Sequence, residues 1–599
     1  MLTLITTVKR EFFSCFTGSV MRALIAVLAA ATAVLSTAPA ATAVTETRGL
    51  TVHNGTFVDG HGREVVLRGF NIAGEVKLAE NGFLPFASTA DAQASAAAMR
   101  RLTGANAVRF MISWAGVEPV KGQVDTGYLT KLTDQMRAFL DAGFEVLPDY
   151  HQDLYSRYLF NTGSWYSGDG APKWVVDQGH YPQESCGLCV HWGQNVTNNG
   201  AVTAATSDFW HNANGVQDEF VNQATQTMRY LHDHLSADEF AGLAGMDPWN
   251  EPFAGRYDSN QTSQSWEQTV LWPFFQRFRQ AMDTAGWPDK PAFVEPNMFW
   301  NANISFQKQV GGFLDTGAMG TRYVFNTHFY DELAQSGVFM PGKAGDGQYS
   351  NDFGTIRDRA TALGTAAIVT EFGHPLTGNT SDKTPTVEKA MYQALDSRLS
   401  GANWWSHPAQ SGPVLSGTQW HWDVYSGQHH ELMNDNPSKV LTTADAWNGE
   451  DYSAVQGNQL RLDSRLLDRL YPAAVAGHTL AFTYEDRSRD GSQVLTWNPV
   501  PGSMPATSAI VGSGRYGVLV WQGSASDAPT ELHVPADMNA VVVSDLTASR
   551  AGDRLLLPAT PGLHYALVAE PSATPSDAQL AAARAELARW APSATAGNS

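Results

Sequence analysis

From about residue 66 to residue 406, short runs of apolar residues alternate with stretches whose apolar positions recur every three to four residues. The runs at 66–73, 105–112, 144–150, 243–250, 292–296, 322–329, 366–372 and 401–406 are too short and too continuous for amphipathic helices and read as buried strands. The stretches 92–102, 129–142, 219–235, 266–285, 352–363 and 386–399 carry the helical period. Eight such strands with helices between them predict an α/β fold, a parallel (β/α)8 barrel. A lead-in hairpin is expected over 50–70, turning at Asn54-Gly55, and suits the floor of the barrel. Between the third strand and the next firm helix lies a long insertion, 154–215, rich in aromatics, Gly and Asn. A loop of that length in a compact domain is usually functional.

After Leu470-Tyr471-Pro472 the period changes. Runs at 480–484, 493–497, 516–521, 530–534, 540–544, 554–557 and 564–568, separated by Gly, Asp, Asn and Ser, predict an antiparallel β-sandwich. The expected organisation is therefore 1–43 as an export signal, 44–471 as the barrel, 472–570 as the sandwich, and 571–599 as an Ala/Ser/Pro-rich tail with a short helix at 578–590. The export signal rests on Met21-Arg22, the Ala-rich apolar run 23–35, and Ala41-Thr42-Ala43 as a small-x-small cleavage site near Ala43. A secreted, monomeric protein is expected.

A net charge of −20 with no Lys/Arg cluster argues against a nucleic-acid partner. The apolar fraction of 43% suffices for a large core. Past residue 43 the cysteines are Cys186 and Cys189, in Cys-Gly-Leu-Cys. In an oxidising compartment they read as a local disulfide stapling the insertion. A zinc site with His180 or His191 matches no standard ligand spacing.

Catalytic groups of such barrels collect at the carboxyl ends of the strands. Two of those ends carry acids followed by turn signals: Glu251 in Asp247-Pro248-Trp249-Asn250-Glu251-Pro252, and Glu371 in Ile368-Val369-Thr370-Glu371-Phe372-Gly373. A carboxyl to protonate a leaving oxygen and a second to attack a sugar are what retaining glycoside hydrolysis requires. Arg109 lies inside an apolar strand, where an unpaired cation is costly, and Glu371 is its expected partner. Glu251 should be kept protonated by weak solvation and by the field of Glu371, and Glu371 kept ionised by Arg109 and the Tyr330 hydroxyl. Neither a metal nor an organic cofactor is called for.

The ordered set Arg109, His151, Asn250-Glu251, His328-Phe329-Tyr330, Glu371 and a Trp on the last strand, in Asn403-Trp404-Trp405-Ser406, resembles glycoside hydrolase family 5. Leu67-Arg68-Gly69-Phe70-Asn71, His151-Gln152-Asp153 with Ser156-Arg157, Gly170-Ala171-Pro172 with Trp174, and Tyr471-Pro472-Ala473 with Gly477 look most like its endoglycoceramidases. The resemblance runs from about 50 to 570. It implies Glu251 as acid/base, Glu371 as nucleophile, and Lys77, His151 and Asp153 as holders of sugar hydroxyls. It also implies a sugar-stacking platform at Trp405 or, alternatively, Trp404. Asn250 is placed to bond a sugar 2-hydroxyl.

The activity implied is cleavage between oligosaccharide and ceramide in glycosphingolipids, with transient contact at a membrane surface. An endoglucanase of the same family, a steryl β-glucosidase, and a non-catalytic carbohydrate- or lipid-binding protein are the competing readings. An apolar slot for a lipid could come from Phe83-Leu84-Pro85-Phe86, Val338-Phe339-Met340-Pro341 and the insertion. Ordinary loop packing would use the same residues.

Overall fold

A computed structural model describes residues 48–595 except 74–75, 78, 80–81, 162–163, 165, 188, 190–191, 305–306, 337–342, 377–380, 397, 400–401, 411, 424–450 and 489–499. The export signal, the apolar stretch at 338–341 and the run at 493–497 thus lie outside the described residues.

Seven strands form a curled parallel sheet: β1 (Arg68–Ile72), β2 (Ala107–Ser113), β3 (Glu145–His151), β4 (Ala292–Val294), β5 (Tyr323–Tyr330), β6 (Ala367–Gly373) and β7 (Ser416–Gln419). Their spatial order is β3-β2-β1-β7-β6-β5-β4. The eighth position is filled by segment 242–250. It pairs with β3 through Ala244 N–H to Val146 O (2.8 Å) and Asp247 N–H to Pro148 O (2.9 Å), and with β4 through Phe293 N–H to Met246 O (2.8 Å). The two sheet edges are thereby joined and the barrel closes, as expected of a parallel sheet whose strands are buried on both faces.

Strand alternation sorts side chains between the two faces. In β2, Val108, Phe110 and Ile112 pack outward into the main core with the helices, while Arg109 and Met111 point into the barrel. Helices cover the outer face by the amphipathic rule. Thr126–Asp141, N-capped by Asp125, buries Leu129, Leu132, Met136 and Phe139.

The hairpin Thr51–His53/Thr56–Val58 serves two partners. Val52 and Phe57 plug the amino-terminal end of the barrel with Ala107, Leu147, Phe293, Val324 and Ile368. Next to the hairpin, Glu64–Val65 pairs with Tyr471–Val475, so the lead-in strands continue the first sandwich sheet. The second sheet contains Gly477–Glu485, Tyr516–Gly523, Gly562–Ala569 and Val541–Ser544. Helix Asp577–Trp590, started by a Ser576/Gln579 capping box, packs Ala583 and Leu587 against this sheet.

The last barrel strand corrects the sequence reading. Within the expected strand 401–406, Ala402–Ser406 is a short helix, and the strand is Ser416–Gln419. Ser416-Gly417-Thr418-Gln419 holds no apolar residue, yet all four are buried. Three of their side-chain oxygens are met by neighbours. Ser416 Oγ accepts from Leu67 N–H (3.0 Å), Thr418 Oγ donates to Thr370 O (2.6 Å), and Gln419 Oε1 accepts from Tyr392 (2.7 Å).

The insertion mainly packs on itself and the barrel, with Tyr155, Leu159, Phe160, Tyr166 and Phe209 buried. Cys186 and Cys189 are joined within it, their Cα atoms 5.6 Å apart. Leu84 and Phe86 also turn inward, Phe86 being held by two hydrogen bonds to the Gln135 amide. For these loops packing wins over an exposed apolar slot. Among the described residues, no helix is long and apolar enough to cross a membrane.

Candidate active site

Arg109 sits at the centre of the barrel, wholly buried. It reaches Glu371 Oε1 (2.6 Å), Asp149 Oδ1 (2.9 Å), Asp247 Oδ2 (3.0 Å) and Asn250 Oδ1 (2.8 Å). Crowding three buried carboxyls on one guanidinium favours a proton on one of them. Asp247 is the clearest case, pushed up to about 7 by burial, against the pull of Arg109. Asn326 supplies it an amide N–H at 2.8 Å. Asp149 and Asp247 were not among the sequence candidates. The signal was there for Asp149, which lies two residues before His151 and therefore on the same strand face.

Glu371 stands near the end of β6. Besides Arg109 it accepts the Tyr330 hydroxyl at 2.8 Å. A bulge between Thr327 and His328 sets His328 opposite Glu371, and Asn326, His328 and Tyr330 then line one face of β5. Burial raises the Glu371 carboxyl above the ordinary range, with His328 and Arg109 pulling it down. The contacts that favour its ionised form are present, but dehydration outweighs them.

Glu251 follows the strand-like segment 242–250 in the left-handed backbone region, φ 44°, a conformation that costs a residue other than Gly roughly 1–3 kcal/mol. Its carboxyl accepts or shares the Nδ1 proton of His328 at 2.9 Å, depending on the tautomer. One oxygen of Glu251 and one of Glu371 lie within 4.8 Å of each other. Glu251 is pushed up to about 7 by burial and then by the charge of Asp153, opposed by His151, Lys77 and Arg109. Burial was the expected cause; Asp153 adds the negative field at Glu251, and the field between the two acids acts on Glu371, which Glu251 raises. His328 is driven down to about 4, chiefly by burial, so it is neutral beside both acids.

A second group faces the same space. His151 bonds Asp149 (2.9 Å) and lies 3.5 Å from Asp153, and Lys77 pairs with Asp153 and, at 3.6 Å, with Asp169. Burial opposes the charge on His151, but Asp153 and Asp149 hold it well above its usual value. Asp153 is likewise kept below the carboxylate range by Lys77 and His151 despite burial. His151, Asp153 and Asp169 have the donor types of a cation site, but the Lys77 ammonium already provides the positive charge there.

Trp404 and Trp405 are not part of this arrangement. Both are buried in the short helix 402–406, against Trp590 (ring centroids 5.2 and 4.8 Å) and the sandwich core. The aromatic at the barrel mouth is Trp420, directly after β7. Its ring stacks on His151 at 5.5 Å and 15°, with Lys77 Nζ 5.0 Å above it. Apolar patterning places the final strand at 401–406 and so passes over Trp420, whose own strand is polar.

Glu295 is the other omission. It follows β4, is 1% exposed, and its Oε2 accepts the N–H of Glu251 at 2.9 Å. An acid at the end of the apolar run Ala292–Val294 was the available clue.

The family model described as cellulase (glycosyl hydrolase family 5) matches residues 58–411. Endoglycoceramidase I of Rhodococcus hoagii (strain 103S) is 27% identical over 376 residues, covering 58% of this chain. That match spans 66% of the relative's own length, just under two thirds. Among solved structures, the lactosyl-enzyme intermediate of endo-glycoceramidase II from Rhodococcus sp. superposes with a TM-score of 0.59 at 21% identity, over 87% of this chain and all of that one. Sterylglucosidase 1 of Cryptococcus neoformans does so with a TM-score of 0.61 at 14% identity, over 88% and 98%.

Proposed function

Because the chain belongs to glycosyl hydrolase family 5 and is a glycoside hydrolase, we propose that it is a secreted retaining β-glycosidase that frees an intact oligosaccharide from the ceramide of a glycosphingolipid. The observation that carries the mechanism is that one oxygen of Glu251 and one of Glu371 lie within 4.8 Å of each other, both beside His328 Nδ1 at 2.9 and 3.5 Å, a closeness that favours the narrower, retaining spacing. Retaining enzymes hold their carboxyls about 5–5.5 Å apart, whereas inverting ones need roughly 6.5–9.5 Å to admit a water. The lipid aglycone is supported by the endoglycoceramidase relatives.

In the first step Glu371 attacks the anomeric carbon as Glu251 gives its proton to the departing glycosidic oxygen, leaving a glycosyl ester on Glu371 and free ceramide. In the second, Glu251 takes a proton from water, whose oxygen displaces Glu371 and restores both groups. Arg109 and Tyr330 stabilise the carboxylate as it departs. Neutral His328 holds the Glu251 carboxyl without adding a charge. Lys77, His151 and Asp153 bind sugar hydroxyls, Asn250 faces the 2-hydroxyl, and Trp420 is the stacking platform. No step calls for a cofactor, and contact with the membrane is transient.

The test is incubation with gangliosides, galactosyl-series lipids, steryl glucosides and cellulose, with products separated by thin-layer chromatography. Free ceramide and whole oligosaccharide are expected; if only sterol or cello-oligosaccharides appear, the ceramide reading fails.

Two further outcomes follow from the site. The reaction needs Glu251 protonated and Glu371 ionised. Since Glu251 titrates at about 7, kcat/KM should fall as pH rises through that value. Because the Glu371 value is raised, the acid limb should lie above the ordinary carboxylate value of about 4.3. A profile flat from pH 6 to 9 would contradict this assignment. The tryptophans should separate cleanly. Trp420→Ala should lose about tenfold in kcat/KM and, because its ring is also buried against Met111 and Tyr452, about 3–5 kcal/mol of stability, so the loss of activity is what sets it apart from Trp404. Trp404→Phe should lose about 1–3 kcal/mol in denaturant unfolding and keep its kcat/KM. The opposite pattern would restore Trp404 as the platform.

A further inference from the structure

We propose that Glu295 is a positioning residue for the acid/base: it pins the main chain of Glu251 in its left-handed conformation and steadies the imidazole that touches the Glu251 carboxyl. This rests on the assignment of Glu251 above. The geometry is specific. Oε2 of Glu295 accepts the Glu251 N–H at 2.9 Å, and Oε1 lies 3.5 Å from His328 Nδ1, the same atom that meets Glu251 Oε1 at 2.9 Å. On the other side of the residue, Gln152 Nε2 bonds the carbonyls of Asn250 (2.7 Å) and Glu251 (3.3 Å). Glu251 is thus gripped at its N–H, its C=O and its carboxyl.

A grip is needed because φ 44° is unfavourable for Glu. Unlike Asn or Asp, Glu has no short side chain to bond its own backbone there. An unsupported Glu251 would relax toward negative φ and swing its carboxyl away from the glycosidic oxygen. Among the described residues, Glu295 has no Lys or Arg ion-pair partner. Burial and the Glu251 and Asp247 carboxyls push it well above the usual carboxylate range. It therefore acts as a neutral acid whose oxygen accepts a hydrogen bond, a task an amide oxygen also performs.

The experiment compares Glu295→Gln, Glu295→Asp and Glu295→Ala on two substrates, a ganglioside with its alkoxide leaving group and an activated aryl β-glycoside that departs without a proton. Glu295→Gln should stay within about threefold of the parent on both. The Asp and Ala variants should lose on the order of 10²-fold in kcat/KM on the ganglioside, as a misplaced catalytic group does, and far less on the aryl glycoside. Three results would overturn the proposal: Gln losing as much as Ala, equal losses on the two substrates, or no loss in the shortened variants. If neither shortened variant folds, as judged by circular dichroism, Glu295 serves stability and the proposal likewise fails. Glu251→Gln is the control. If it too shows no leaving-group dependence, the acid/base assignment is at fault; if it does and the Glu295 variants do not, only the positioning role falls.

Discussion

Glu371→Gln is expected to abolish turnover, by on the order of 10⁴-fold or more, in a protein that still folds. The substitution keeps the shape and removes the negative oxygen that forms the glycosyl ester. An amide there still receives the Tyr330 hydroxyl and fits the same space. Arg109 loses one of its carboxyls but keeps Asp149 at 2.9 Å and Asp247 at 3.0 Å, so no buried cation is left unpaired, the circumstance that makes such changes unfold proteins. The measurements are single-turnover release of ceramide and the thermal midpoint. Residual activity above a few per cent, or a large fall in midpoint, would mean that Glu371 is a structural partner of Arg109 and no nucleophile.

Glu251→Gln should cost ~10²–10⁴-fold on lipid substrates, the range for a positioned general acid. The loss should depend on the leaving group. With an activated aryl glycoside the first step proceeds without a proton, so part of the rate returns. Hydrolysis of the ester still lacks its general base, and the glycosyl-enzyme should therefore build up and be seen by mass spectrometry. The variant should also lose the alkaline limb near pH 7 that Glu251 imposes. Similar modest losses for both Glu variants, independent of the leaving group, would remove the two-carboxylate account.

The sequence disclosed the site unevenly, for physical reasons that differ by residue. Arg109, Glu251 and Glu371 were legible because a charge beside an apolar run is costly and must have a purpose. Trp420 was hidden by its strand: Ser416-Gly417-Thr418-Gln419 is polar, and its burial depends on hydrogen bonds from Leu67 and Tyr392 and to the Thr370 carbonyl that only the closed barrel supplies. Trp404-Trp405 then drew the platform assignment, although their surroundings are the tail helix and the sandwich. Glu295 could be seen as an acid after a strand, but its bond to the Glu251 N–H depends on two chain segments 44 residues apart meeting at one barrel edge.

By itself, the sequence determined the barrel and the sandwich, since a period of two or 3.6 dictates which faces are buried, and it determined the acids at the strand ends. The tertiary structure alone decided which aromatic faces the sugar, which acids share Arg109, and how Glu251 is raised to about 7. Those depend on distances across the barrel and on lost water. Neither is encoded locally; both arise when the sheet closes.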